Sequence, residues 1–261
     1  MPIVSLNNAE IFYEVKGAGP PIVFTHGHSM NHQQWEPQVK ALSEDFQIIT
    51  WDVRGHGSST LPNGKVDPRD FSKDLHDLLS YLKVDKALIC GLSMGGHISL
   101  QTAAYYPKKV SGLILIGTPF TNTFNWFEKY GARIGLLFLR ILPYKWTAEI
   151  TATTMSKVNS QNKSYVMESF NQMTKSTFLR HWSGNLKLES KELLPLITCP
   201  TLILHGDRDK LVARQQEVLR SSISQADFKT ITNADHLTNR DNPKKVTEAI
   251  QAFFHSYSSK L

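Results

Sequence analysis

Short runs of apolar, often β-branched residues alternate along this chain with longer segments in which apolar side chains recur every three or four positions. Ile22-Val23-Phe24-Thr25, Ile48-Ile49-Thr50-Trp51, Ala87-Leu88-Ile89-Cys90, Leu113-Ile114-Leu115-Ile116 and Thr201-Leu202-Ile203-Leu204 are each nearly all apolar and end in polar or glycine residues. Runs of this kind suit strands covered on both faces. Between them, 35–42, 71–82 and 94–105 carry the spacing of helices with one apolar face. Near the start, Ile3–Leu6 and Ile11–Val15 flank Asn7-Asn8. The pair predicts a hairpin, because asparagine tolerates a positive φ. The pattern predicts an α/β fold built on a mostly parallel sheet.

The alternation stops after Gly117. From Thr118 to Thr198 no convincing strand appears; aromatic and long apolar residues instead recur at roughly helical spacing, among them Phe124, Phe127, Leu136, Leu137, Phe138, Trp146, Tyr165, Phe170, Phe178 and Trp182. The stretch holds twelve aromatic residues, and ten basic against five acidic side chains. Residues 118–198 are therefore expected to form a helical cap over the carboxyl edge of the sheet. Residues 1–117 and 199–261 then make up the core. Most of the aromatics are expected to pack helices together, with the remainder facing the crevice below. The tail from Ser256 to Leu261 is expected to fray.

Composition narrows the class. With 261 residues and 41% hydrophobic side chains the chain can bury a sizeable core, and disorder is excluded. The formal charge of +6 comes from 29 basic and 23 acidic residues spread along the sequence, with no basic block that would suit nucleic acid. No stretch has the length and apolarity of a membrane span, and Met1-Pro2-Ile3-Val4 begins no secretory signal, so a cytoplasmic protein is expected. Cys90 and Cys199 lie in or beside apolar runs and read as buried free thiols.

Open α/β sheets bind ligands beyond the carboxyl ends of their strands. There, after the run ending at Cys90, stands Gly91-Leu92-Ser93-Met94-Gly95-Gly96. Gly-x-Ser-x-Gly between a strand and a helix folds as a sharp elbow that exposes the serine hydroxyl; the alternative is a serine that merely caps the helix. A serine hydroxyl needs a base to remove its proton, and the base needs a third group to orient it. Candidates follow in the order acid, then histidine: His205-Gly206-Asp207-Arg208-Asp209 after one strand, and Asp235-His236 near the end. His26-Gly27-His28-Ser29 follows the run 22–25. Its loop can set the amide of His28 opposite that of Met94 as an oxyanion hole. A metal site from His26, His28 and His32 is the competing reading, but no carboxylate or cysteine completes it at a familiar spacing, so neither metal nor cofactor is expected. His97, one turn after Ser93, reads as a packing or capping residue, His56 and His205 as polar support, and Asp52 and Arg54 as fixing a turn.

His26-Gly27, Asp52-Val53-Arg54-Gly55-His56-Gly57-Ser58-Ser59, the Ser93 elbow, Gly206-Asp207-Arg208-Asp209 and Asp235-His236 together resemble the α/β-hydrolase family, in that family's order and over nearly the whole chain outside 118–198. The resemblance implies an eight-stranded, mostly parallel sheet with a cap inserted after the sixth strand. It implies Ser93 as nucleophile, His236 as base and Asp209 as the acid, since the family's Gly-x-x-Asp ends on the acid; Asp207 is the runner-up. Relatives with aspartate at the elbow form alkyl esters, whereas a serine forms an acyl-enzyme. The expectation is a serine hydrolase acting on a small carboxylic ester or lactone with an apolar acyl group. C–C hydrolysis, enol-lactone or acyl-homoserine-lactone hydrolysis, cofactor-free haloperoxidase or perhydrolase chemistry, and a ligand receptor on the same fold are the alternatives.

Overall fold

A computed structural model describes residues 2–124 and 126–258 of the chain. Eight strands, β1 (Ile3–Leu6), β2 (Ala9–Lys16), β3 (Pro21–Thr25), β4 (Gln47–Trp51), β5 (Ala87–Leu92), β6 (Val110–Ile116), β7 (Thr201–Gly206) and β8 (Ala226–Ile231), form one sheet in the order β1-β2-β4-β3-β5-β6-β7-β8. The β1–β2 and β2–β4 pairs are antiparallel and the remaining five are parallel. Asn7 and Asn8 turn the first hairpin with φ of 48° and 64°. Two positive φ values in succession match the right-handed twist of the flanking strands.

Period-two alternation sends neighbouring strand residues into two separate cores. On one face Val23, Ile49, Ile89, Leu113, Leu115 and Ile203 pack with α2 (Arg69–Tyr81), α3 (Met94–Tyr105) and α8 (Ala213–Ser222) through Phe71, Leu75, Ile98 and Leu219. On the other, Phe24, Ile48, Leu88, Cys90, Ile114 and Leu204 pack against α1 (Glu36–Leu42) and α10 (Pro243–Ser258) through Leu42, Val246 and Ile250. Full burial on both faces explains why these strands read as unbroken apolar runs. Trp35, just before α1, stacks on Phe24 with ring centroids 4.6 Å apart.

Between β6 and β7 lie α4 (Trp126–Ile141), α5 (Tyr144–Met155), α6 (Asn162–Asn171) and α7 (Lys175–Asn185). Thr121 and Glu189 bridge the two ends of this insertion. Tyr165, Val166, Phe170 and Phe178 continue the second core into it, whereas Phe138 and Trp146 are exposed. The side chain of Phe127 lies outside the described residues. After α7 the chain returns to the main body, where Leu188, Leu194 and Ile197 join the first core. At the other end, α10 runs to Ser258 and buries Tyr257, so the helix continues three residues into the tail expected to fray; residues 259–261 lie outside the described residues. No helix of the described residues is long and apolar enough to cross a membrane.

Five imidazoles from the loops after β3 and β4, from α3 and from α7 are withdrawn from solvent. His26, His56, His97 and His181 are fully buried and His28 is half-buried. Burial pushes His26 down to about 4 and His28 and His97 to about 3, and drives His56 and His181 well below the usual value. All five are held neutral in the fold, while the unfolded chain takes up protons below a pH of about 6.5. The stability they contribute is therefore complete above pH 6.5 and lost as pH falls toward their folded values. Each histidine that stays neutral steepens the decline by up to about 1.4 kcal/mol per pH unit. Urea titrations from pH 7.5 to 5.0 should show the unfolding midpoint falling from pH 6.5 downward, with the five histidines outweighing the opposite contribution of the Asp241 carboxyl, which burial raises to about 6. A midpoint flat across that range would mean that the histidines ionise in place.

Candidate active site

β5 ends at Leu92 and α3 begins at Met94, leaving Ser93 alone at the turn with φ 54° and ψ −118°. A non-glycine residue held there costs on the order of 1–3 kcal/mol, so its surroundings must over-determine it. The Ser93 amide donates to the Ile116 carbonyl of β6 at 2.9 Å, and the Ser93 carbonyl accepts from the His97 amide at 3.0 Å. The glycines that follow permit the close packing of α3. A Cβ on Gly95 would overlap the Thr25 carbonyl oxygen, and one on Gly96 would overlap the Thr118 hydroxyl.

The loop after β8 brings His236 over this turn. Its Nε2 lies 2.9 Å from Ser93 Oγ and its Nδ1 lies 2.8 Å from Asp209 Oδ2. A carboxylate can only accept, so Nδ1 carries the proton and Nε2 faces the serine hydroxyl as acceptor. Asp209 is buried after β7, and its other oxygen accepts from the Leu211 amide at 2.9 Å. Burial alone would raise the Asp209 carboxyl. The hydrogen bond and charge of His236, with the Leu211 amide, outweigh it and hold the group below the usual carboxylate range. Asp207 points elsewhere: its Oδ1 accepts from the Ala234 amide at 3.1 Å and so ties down the loop that carries His236.

The loop after β3 lines the same cavity as Ser93 and His236. Among the described residues the amides of His28 and Met94 donate to no protein acceptor. Gly27, beside them, donates to Gln34 Oε1 at 2.8 Å. Gln34 also donates to Asn239 Oδ1 at 3.3 Å, and Asn239 Nδ2 donates back to Gln34 O at 2.9 Å and to Gln38 Oε1 at 3.0 Å. All three side chains are fully buried. This network joins the loop after β3 to α9 (Thr238–Asp241), just beyond His236. The sequence reading missed it, although Gln34 and Gln38 stand four apart on the apolar face of a helical segment, where polar residues call for buried partners.

The other residues singled out in the sequence have structural partners. Asp52 accepts from the His32 amide at 2.7 Å, from His32 Nδ1 at 2.9 Å and from the Ser58 amide at 2.8 Å. Arg54 forks onto Asp74 at 2.6 and 2.7 Å and reaches Asp70 at 2.7 Å. His26 gives Nδ1 to the Gly27 carbonyl and accepts the Val53 amide on Nε2. Both nitrogens of His26 are thus taken, and His32 is engaged with Asp52, so His26, His28 and His32 form no cluster able to hold a metal. His97 Nε2 meets Ser190 Oγ at 2.7 Å, and His205 Nε2 meets the Asp209 carbonyl at 2.9 Å. Cys90 is buried and its thiol is pushed well above the ordinary value, while partly buried Cys199 is pushed up to about 11. Neither thiol supplies a thiolate near neutral pH.

Two cavities meet at Ser93. One, of about 250 Å³, runs beneath α4, α5 and α7 and is walled by Met30, Leu139, Met155, Phe170, Phe178 and Leu237. The other, of about 380 Å³, is more polar and includes Asn122, Asn185, Glu128 and Arg214. Trp182, Leu211 and His28 border both. The arrangement can place an acyl carbon against Ser93 Oγ, with the His236 imidazole in hydrogen-bonding reach and the unpaired amides of His28 and Met94 in segments that line the same two cavities.

Known proteins share this organisation. Residues 20–243 match the family described as alpha/beta hydrolase fold. The chain is 27% identical over 247 residues to 3-oxoadipate enol-lactonase 1 of Acinetobacter baylyi, covering 91% of this chain and 89% of that one. It is 28% identical over 269 residues to the AB hydrolase superfamily protein YisY of Bacillus subtilis, covering 94% and 96%. Among solved structures, a thermophilic esterase from Thermogutta terrifontis with malate bound superposes with a TM-score of 0.88 at 25% identity, over 98% of each chain. With the family matched from before β3 to the start of α10, and the strand order and inserted helices as described, this chain belongs to the alpha/beta hydrolase fold family.

Proposed function

We propose that this protein is a serine hydrolase that cleaves carboxylic esters or lactones through an acyl-enzyme on Ser93. The observation that carries the reading is the continuous hydrogen-bonded line from Ser93 Oγ through His236 to the buried carboxylate of Asp209, at the wall of an apolar cavity. His236 Nε2 takes the hydroxyl proton as Oγ attacks the acyl carbon. Asp209 holds the imidazole in the productive tautomer and stabilises it while it is charged. The amides of His28 and Met94 receive the oxyanion, where aimed donors in a water-poor site lower the barrier most. His236 then protonates the leaving oxygen, and water repeats the sequence to release the acid. Residues 118–198 act in this reading as the cap, with α5, α6 and α7 supplying the walls around the acyl chain.

The cavity walled by Met155, Phe170 and Phe178 suits an apolar acyl group, and the polar cavity beside Asn122 and Arg214 suits the departing alcohol. The similarity to an enol-lactonase and to an esterase supports the same reaction class.

Initial rates on p-nitrophenyl esters of increasing acyl length test the reaction. Ser93→Ala should lower kcat by about four orders of magnitude or more, with the fold intact by circular dichroism. Turnover retained by the purified variant would refute the acyl-enzyme. Asp209→Asn should cost about 10⁴-fold in kcat through the wrong histidine tautomer, whereas Asp207→Asn should stay within about tenfold of the parent. Equal losses in the two variants would remove Asp209 from its assigned role. Met155→Trp should shift the preferred acyl chain to a shorter length while leaving acetate-ester turnover within about threefold. An unchanged chain-length profile would move the acyl group to the other cavity.

A further inference from the structure

Three of the buried imidazoles are not explained by the hydrolytic reading. His28 comes from the loop after β3, His56 from the loop after β4 and His181 from α7, and one ring nitrogen of each lies within 4.8 Å of the others. The His56 and His181 ring centroids are 4.2 Å apart, and His28 stands 5.4 Å from the first and 5.2 Å from the second. Nε2 of His28, Nε2 of His56 and both nitrogens of His181 are buried with no hydrogen-bond partner.

We propose that His28, His56 and His181 form a binding site for a borderline transition-metal cation of the Zn²⁺ class. The tautomers favour it. His56 Nδ1 faces the Arg54 carbonyl at 3.4 Å, and a carbonyl only accepts, so the proton sits there and the Nε2 lone pair faces the cluster. His28 Nδ1 is engaged with Ser29 Oγ at 2.8 Å, a hydroxyl able to accept the Nδ1 proton, and Nε2 is the ring nitrogen left without a partner. Outer hydrogen bonds of this kind orient metal-binding imidazoles. Burial keeps all three rings neutral, the form that ligates.

The chemistry selects the ion. Three imidazoles suit Zn²⁺, Cu²⁺ or Ni²⁺, whereas Mg²⁺ and Ca²⁺ require oxygen ligands that the cluster lacks. Aromatic packing is the competing account, since Phe71 stacks on His181 and Trp182 lies against His28. Packing alone would be served by phenylalanine. It gives no reason for several buried polar nitrogens to converge where none finds a donor or acceptor. Zinc–nitrogen bonds of about 2.0–2.1 Å require the three atoms to draw in to roughly 3.4 Å from one another, a movement within reach of side-chain rotation. His28 borders both cavities at Ser93, so an ion can enter from the active-site side. Once bound, it would clamp α7 to the two sheet loops.

Tag-free protein stripped with a chelator and then desalted should be titrated with ZnSO₄ by calorimetry and melted with and without zinc. The zinc K-edge spectrum of the loaded parent completes the test. The expected result is one equivalent per chain with micromolar or tighter affinity, a raised Tm, and a spectrum requiring three imidazole nitrogens. His181→Leu should weaken zinc binding at least 100-fold and abolish the Tm shift. His76→Ala, which removes a ring packed against Tyr106 and paired with Asp77 rather than with the cluster, should leave both unchanged. No saturable binding by the parent, undiminished affinity in His181→Leu, or a spectrum fitted by two or fewer imidazoles would overturn the proposal. Should His181→Leu fail to fold, the parent's titration and spectrum decide alone.

Discussion

The backbone turn at Ser93 is the constraint on which the carboxyl edge of the sheet depends. Its positive φ is unfavourable in isolation and persists because β6 takes its amide and α3 is pressed against β3 at Gly95. A helix that begins so close to a neighbouring strand brings its first amide, on Met94, alongside the loop that leaves β3. The free amides of His28 and Met94 are in this sense products of glycine packing. An added methyl group at Gly95 would push α3 away from Thr25 and part the two loops without altering any polar side chain of the site.

Much of the fold was legible because it is written in apolar runs. The five parallel strands β3 to β7 bury both faces, so their alternation into two cores leaves an uninterrupted signature of Val, Ile and Leu. β8 is the exception. Ala226–Ile231 reads Ala-Asp-Phe-Lys-Thr-Ile, with four central residues exposed. An edge strand covered on so little of its surface carries no such run, and only the family resemblance implied an eighth strand. The turn at Ser93 and the histidine that meets it were legible for another reason: Gly-x-Ser-x-Gly and Asp-His are local motifs whose spacing is fixed by turns.

What the sequence withheld depends on partners far apart along the chain. Gln34 and Gln38 signal at most that buried partners are needed, and Asn239, some two hundred residues away, shows itself as that partner only when the fold closes the three into one network. His181 sits among aromatics in a helical segment with no motif around it, and its relation to His28 and His56 exists only once α7 lies over the sheet edge. The local histidine trio His26, His28 and His32 was the more visible grouping. The structure dissolves it by engaging His26 with backbone groups and His32 with Asp52.

The position of β8 has a consequence for how the molecule ages in use. Ser93 is rooted between central strands, whereas His236 hangs from the outermost and least covered strand, held by the Asp207 clamp and the Asn239 network. Fraying at a sheet edge takes less free energy than opening its middle. Under mild heat or denaturant the imidazole will leave the serine while the body of the sheet is still intact. On the proposed hydrolytic reading, turnover is then lost early and reversibly, before the spectroscopic signature of the fold begins to change.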